Sequence, residues 1–120
     1  MYYTYMIRCE DNSIYTGSTS DLERRIKEHF EQSEKGAKYT KRHKIKKLEI
    51  AWSCLNYNEA LKLEYHIKKR LTKSEKEKLI ESPNLLSYYS KYKIDCSLYK
   101  KVNTSKNKTI NENIKKQQKN

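Results

Sequence analysis

Tyr5, Tyr15, Gly17, Arg25, His29 and Glu64 are residues that could carry or shape a chemical site. Glu64 is the most informative of them. It falls in a run where Ala60, Leu63, Ile67 and Leu71 recur at helical spacing. At 100° per residue, Glu64 lies about 40° from Ala60, inside the apolar stripe, and His66 falls on the opposite, solvated side. A carboxylate on a buried face costs several kcal/mol unless something compensates it. A cation held in a cleft is one compensation; a structural salt bridge or hydrogen bond is the other. Arg25 and His29 are four apart on an earlier helical run, so they share its border and can point along a sheet edge. Taken singly, each residue also has a plain structural reading. Tyr5 and Tyr15 can be core or cross-strand rings, Gly17 turn geometry, Arg25 a helix-border ion pair, and His29 a structural or solvated side chain.

The elements that must position these groups follow from pattern. Residues 2–9 alternate aromatic, β-branched and polar types, so they read as a strand with Tyr3, Tyr5, Ile7 and Cys9 on one face. Glu10 to Ser13 is a turn cluster, with Asp and Asn able to adopt the left-handed backbone of a tight hairpin. Ile14 to Thr16 is a short second strand ending at Gly17, where a strained backbone or a close approach by another group suits glycine. Ser20 or Asp21 can cap a helix whose apolar stripe is Leu22, Ile26 and Phe30, ending near Glu31 to Gln32. Residues 48–54 are a third, central strand. Asn56 or Asn58 opens a helix over 58–71. Thr72 or Ser74, with Glu75 or Glu77 three residues on, caps a shorter helix that docks Leu79 and Ile80 and stops at Pro83.

Composition bounds the function. The chain has 120 residues, so it is one domain with a tail at most, and its 35% hydrophobic content allows only a small core. Some of that core must come from the 11 tyrosines, whose rings can be buried while their hydroxyls stay paired. Net charge is +12, which implies an anionic partner, with nucleic acid ahead of a membrane surface. Residues 1–82 hold 18 Lys/Arg against 13 Asp/Glu, and residues 83–120 hold 9 against 2, so the tail is the more basic part. Residues 35–47 carry seven Lys/Arg and no acid, and Lys38, Tyr39, Lys41 and Arg42 lie within this loop. Cys9, Cys54 and Cys96 have neither disulfide-framework nor zinc spacing, and no apolar leader or span is present; reduced thiols in the cytoplasm are the simplest reading. Residues 83–99 are a Tyr-rich, helix-compatible extension in which Tyr88, Tyr89 and Tyr92 can either pack on the domain or stack on bases. Residues 100–120 are Lys-, Asn- and Gln-rich and are expected to be disordered.

Three segments, YTYMIRCEDNSIYTGSTSDLERRIKEH, KGAKYTKRH and NEALKLEYHIKKRLTKSEKEKLI, together resemble the GIY-YIG nuclease superfamily over residues 1–82. The resemblance is to its short stand-alone bacterial proteins, and also to the nuclease subunit of the eukaryotic structure-specific junction resolvase. Tyr5 matches the first motif's tyrosine, Tyr15 and Gly17 match the second motif, Arg25 matches the arginine of the first helix, and His29 a basic or hydroxyl position one turn on. Glu64 matches the metal-binding glutamate. Tyr3-Thr4-Tyr5 stands where Gly-Ile-Tyr is usual, and Thr16 where Ile is usual. Asn84 is a candidate for the asparagine that many members carry near the domain end.

The resemblance implies a metal-dependent endonuclease acting on structured or single-stranded DNA in repair, recombination or processing. It implies Mg2+ (or Mn2+) on Glu64, Tyr5 as general base or water positioner helped by Tyr15, Arg25 on the scissile phosphate, and His29 in proton transfer or support. Gly17, Lys38, Tyr39, Lys41 and Arg42 are the substrate-contact candidates, with the basic loop following the phosphate backbone. The alternatives are a binding module without catalysis and a subunit dependent on a protein partner for specificity. No membrane association is expected. The expected fold is α/β (α+β): a small, mainly antiparallel three-stranded sheet flanked by helices, with a C-terminal extension.

Overall fold

The computed structural model describes residues 1–34, 44–89 and 94–118. Strands β1 (Tyr2–Cys9) and β2 (Ile14–Thr19) form a hairpin, followed by helix α1 (Leu22–Glu34) and strand β3 (Ile45–Cys54). Helices α2 (Tyr57–Arg70), α3 (Lys73–Glu81) and α4 (Leu85–Tyr89), strand β4 (Lys100–Lys101) and helix α5 (Thr104–Gln118) complete the chain. All strand pairings are antiparallel, in the order β2-β1-β3-β4. The sheet has four strands, where the sequence reading expects three. The fourth is two residues long, pairs only with Trp52 and Ser53, and is too short to leave a periodic signature.

The hairpin turns at Asn12, whose φ of 70° is the left-handed conformation expected of that cluster. Alternation along β1 then divides the core. Tyr5 and Ile7 face α1 and α5, packing with Leu22, Ile26, Phe30, Ile110 and Ile114. Met6 faces the other way, with Leu63, Ile67, Leu79 and Leu86 from α2, α3 and α4. On β3 the alternation is broken by a bulge, because Met6 pairs with Ile50 and Ile7 with Leu48. Glu49 is the extra residue, and its carboxylate accepts from Arg8 Nε at 3.1 Å. Arg8 also donates to Glu77 of α3 and to the Asn12 carbonyl, which ties the hairpin turn to the helical layer.

Helix starts follow local chemistry. Asp21 Oδ1 accepts from the Arg24 N–H at 3.2 Å, and Asn56 Oδ1 from the Glu59 N–H at 2.9 Å. Thr72 and Glu75 form the reciprocal capping box. Thr4 Oγ1 donates to the Ala60 carbonyl at 2.7 Å and Ser18 Oγ to the same oxygen at 3.1 Å, so both strands of the hairpin hold the turn of α2 that carries Glu64.

Two expectations are corrected here. His66 is buried, not solvated. The buried residues of α2 are Ala60, Leu63, His66 and Ile67, so the inward arc is centred nearer Leu63 than Ala60. Residues 104–118, expected to be disordered, form α5. With only Ile110 and Ile114 as apolar side chains to bury, the segment looks too polar to fold alone; it folds against α1 and β3 instead. It also brings the Asn111 side chain to Leu48, accepting from its N–H at 2.8 Å and donating to its carbonyl at 3.0 Å, in the place a neighbouring strand would occupy. Lys38, Tyr39, Lys41, Arg42 and Tyr92 lie outside the described residues.

Candidate active site

The β1–β2 hairpin, α1 and α2 converge on one cluster. Tyr5 and Gly17 are register partners across the hairpin. A Cβ at Gly17 would stand 2.5 Å from the Tyr5 hydroxyl oxygen and 3.1 Å from the Tyr15 ring. The close approach expected at this glycine is therefore that of the Tyr5 ring, and Gly17 lies inside β2 rather than at its end. From α1, His29 comes up beneath the hairpin, with its Nε2 at 2.8 Å from the Tyr5 hydroxyl. The rings of Tyr5, Tyr15 and His29 form a triangle, with centroids 6.4 Å apart for Tyr5–Tyr15, 5.8 Å for Tyr5–His29 and 5.1 Å for Tyr15–His29. Tyr5 and His29 are buried; Tyr15 is half-buried.

Electrostatics set the protonation states. Burial holds the Tyr5 phenol well above its ordinary value; Tyr15 and Glu64 add to the rise, and the Arg25 guanidinium opposes it. Tyr15 is raised for the same first reason, with Arg25 opposing and Glu64 reinforcing. Burial and the Arg25 charge push the His29 imidazole down to about 4, so it is neutral at pH 7. A phenol and a neutral imidazole in hydrogen-bond contact carry no charge at rest, and the imidazole can accept the phenol's proton when another proton reaches the phenol oxygen.

Arg25 is part-exposed at the border of α1, and its Nη1 donates to Glu28 at 3.1 Å. Glu28 also accepts from Arg24 at 3.2 Å, so it serves two guanidiniums. Glu64 does not lie within the buried arc of α2 as its spacing suggests. Its side chain is 23% exposed, at the border, with Lys68 Nζ at 3.8 Å. Lys68 Nζ also stands 5.5 Å from the centre of the Tyr15 ring. The sequence reading passed over Lys68 and Glu28. Both carry a signal: each is one helical turn from a residue already singled out.

Among the described residues, no three His, Cys, Asp or Glu side chains are grouped to enclose a metal. The donor set fits one kind of ion. Glu64 is a single, solvent-reaching carboxylate with a loose ion pair, which suits a hard cation that keeps most of its water. It does not suit zinc or a caged calcium, which need more protein ligands.

Comparison with known proteins identifies the family. A family model described as GIY-YIG catalytic domain matches residues 1–78. A UPF0213 protein of Fusobacterium nucleatum is 49% identical over 83 residues, 69% of this chain and 80% of that protein. The UPF0213 protein YazA of Bacillus subtilis is 44% identical over 80 residues, 67% of this chain and 78% of that protein. The solution NMR structure of a UPF0213 protein from Bacillus halodurans is 36% identical, covering 79% of this chain and 98% of that one at a TM-score of 0.42.

Proposed function

The chain belongs to the GIY-YIG catalytic-domain family, and on that premise we propose that it is an endonuclease that hydrolyses DNA phosphodiester bonds with one divalent cation. The observation that carries this reading is the 2.8 Å contact between the Tyr5 hydroxyl and His29 Nε2, with Arg25 and Glu64 acting electrostatically on the same phenol.

Hydrolysis requires a water to lose a proton as its oxygen bonds to phosphorus. In this reading Tyr5 oxygen takes that proton while the phenol's own proton passes to His29 Nε2, which is unprotonated when His29 carries its hydrogen on Nδ1. The new P–O bond forms as the ester P–O bond opposite it breaks, the leaving oxygen takes a proton from solvent, and His29 returns its extra proton to solvent. Neither side chain need be charged beforehand, which matches the raised phenol and the lowered imidazole. Arg25 turns from Glu28 to the phosphate, where its two parallel donors match two oxygens. Tyr15 and Lys68 bound the site on the Glu64 side. Mg2+, or Mn2+, held by Glu64 with water and phosphate oxygen filling its shell, would supply positive charge against the phosphate and leaving oxygen. Gly17 supports this chemistry by leaving room for the Tyr5 ring. The role of Lys38, Tyr39, Lys41 and Arg42 in following the phosphate backbone is part of the same proposal.

The test is cleavage of single-stranded, duplex, flap and branched DNA with Mg2+, Mn2+ or EDTA, by the wild-type chain and by Glu64→Ala. Cation-dependent cutting that disappears in Glu64→Ala, with DNA binding retained, is the expected result. Cutting that survives in Glu64→Ala, or in EDTA, would overturn the site assignment.

A further inference from the structure

A hollow of about 400 Å³ opens beside Arg25; none of Tyr5, Tyr15 and His29 lines it, and nothing in the proposed chemistry uses it. Tyr2, at the start of β1, and Tyr57, at the start of α2, form its walls. Their ring centres are 5.5 Å apart and their planes tilted by 41°. Tyr57 is 46% exposed, a large ring left open at the mouth. Ser18, Thr19, Ser20, Arg25 and Glu28 complete the lining. Arg25 therefore belongs to both places: it acts on the phenols of Tyr5 and Tyr15, and it borders the hollow.

We propose that this hollow is a subsite for one unpaired nucleobase, next to the phosphate held at Arg25, with Tyr57 and Tyr2 as its stacking surfaces. The inference rests on the nuclease reading above for the position of that phosphate. Three properties select a base as the occupant. Two tyrosine rings line it, and any base can stack on an aromatic ring irrespective of its identity. The neighbouring cation is the group assigned to phosphate, so a strand gripped there has its adjoining nucleotide within reach of the hollow. The volume, about 400 Å³, is ample for one base. A base inside a duplex offers only its edges, its faces being covered by its neighbours, so stacking here requires a base that is single-stranded or turned out of the helix. The subsite thus predicts a preference for strands unpaired at the cut. Leu61 and Tyr65, exposed one and two turns further along α2, continue the surface outwards.

The test uses single-stranded oligonucleotides carrying the fluorescent base 2-aminopurine at successive positions, bound to the Glu64→Gln chain in EDTA. Stacking quenches this fluorophore. The expected result is quenching confined to one position, which adjoins the phosphate that the wild-type chain cuts with Mg2+. Adding Tyr57→Ala should abolish that quenching and weaken binding about tenfold, and Tyr57→Phe, which keeps the ring, should restore both. Quenching spread evenly along the strand, or unchanged by Tyr57→Ala, would overturn the subsite and leave the aromatic surface to a protein partner. The two readings fail separately. Tyr57-dependent quenching without any cleavage by the wild-type chain would sink the nuclease reading and the subsite's position beside a cut, and cleavage without Tyr57-dependent quenching would sink the subsite alone.

Discussion

A methyl group added at Gly17 would land 2.5 Å from the Tyr5 hydroxyl and 2.7 Å from the ring carbon that bears it. Gly17→Ala is therefore expected to turn Tyr5 away from His29. Cleavage should fall by about a hundredfold or more, as misplacement of a reacting group by about 1 Å can cost, while urea denaturation shows a loss of only about 1–3 kcal/mol from overpacking. A variant with wild-type cleavage would show that the 2.8 Å contact is dispensable. His29 gives a second prediction. Its imidazole is lowered from 6.5 to about 4 by burial first and Arg25 second. Between those values the unfolded chain binds a proton that the native chain does not, so stability rises with pH there and is lost as pH falls. The difference between wild type and His29→Gln should shrink by about 2 kcal/mol between pH 6.5 and 4, less than the full shift would give because Arg25 and Glu28 beside it reach solvent. A constant difference across that range would place the imidazole in water. Much of this cluster was legible: Arg25 and His29 are four apart, and the glycine asks for a close neighbour. The Tyr5–His29 bond was not, because spacing along a helix says nothing about which strand residue lies above it.

At the scale of elements, α2 and α5 show where periodicity misleads. Taking Ala60 as the centre of α2 places Glu64 inside and His66 outside, yet the helix turns its Leu63 side to the sheet, which buries His66 and leaves Glu64 at the border. A single helix read in isolation leaves that rotation open by several tens of degrees. The bonds from Thr4 and Ser18 to the Ala60 carbonyl fix it, and they belong to strands far away in sequence. In α5 the only apolar signal is Ile110 and Ile114, four apart, within a run of Lys, Asn and Gln that by composition alone reads as unstructured. The helix is held by what it covers. Ile110→Ala, at a site only 3% exposed, should cost about 2–4 kcal/mol in chemical denaturation. No change in stability would mean that the segment is not part of the cooperative unit. The capping box at Thr72 and the hairpin turn at Asn12 needed no such context, since both are settled by residues within a few positions.

For the molecule as a whole, charge should dominate the proposed encounter with DNA. With a net +12, binding should be mostly electrostatic, and affinity for single-stranded DNA should fall about a hundredfold between 50 and 200 mM salt. A flat salt response would assign the basic residues to solubility instead. The family match stops at residue 78, whereas the core continues through Ile114. The catalytic frame and the C-terminal helix are thus packed as one body, not as a domain with a loose arm. Asn111 has a consequence at this scale. Along the outer margin of β3, the N–H and carbonyl of Leu48 would otherwise be an invitation to the strand of a second molecule. One amide side chain answers both groups from within the same chain. That stretch of the β3 margin is thereby closed to pairing with a strand of a second molecule.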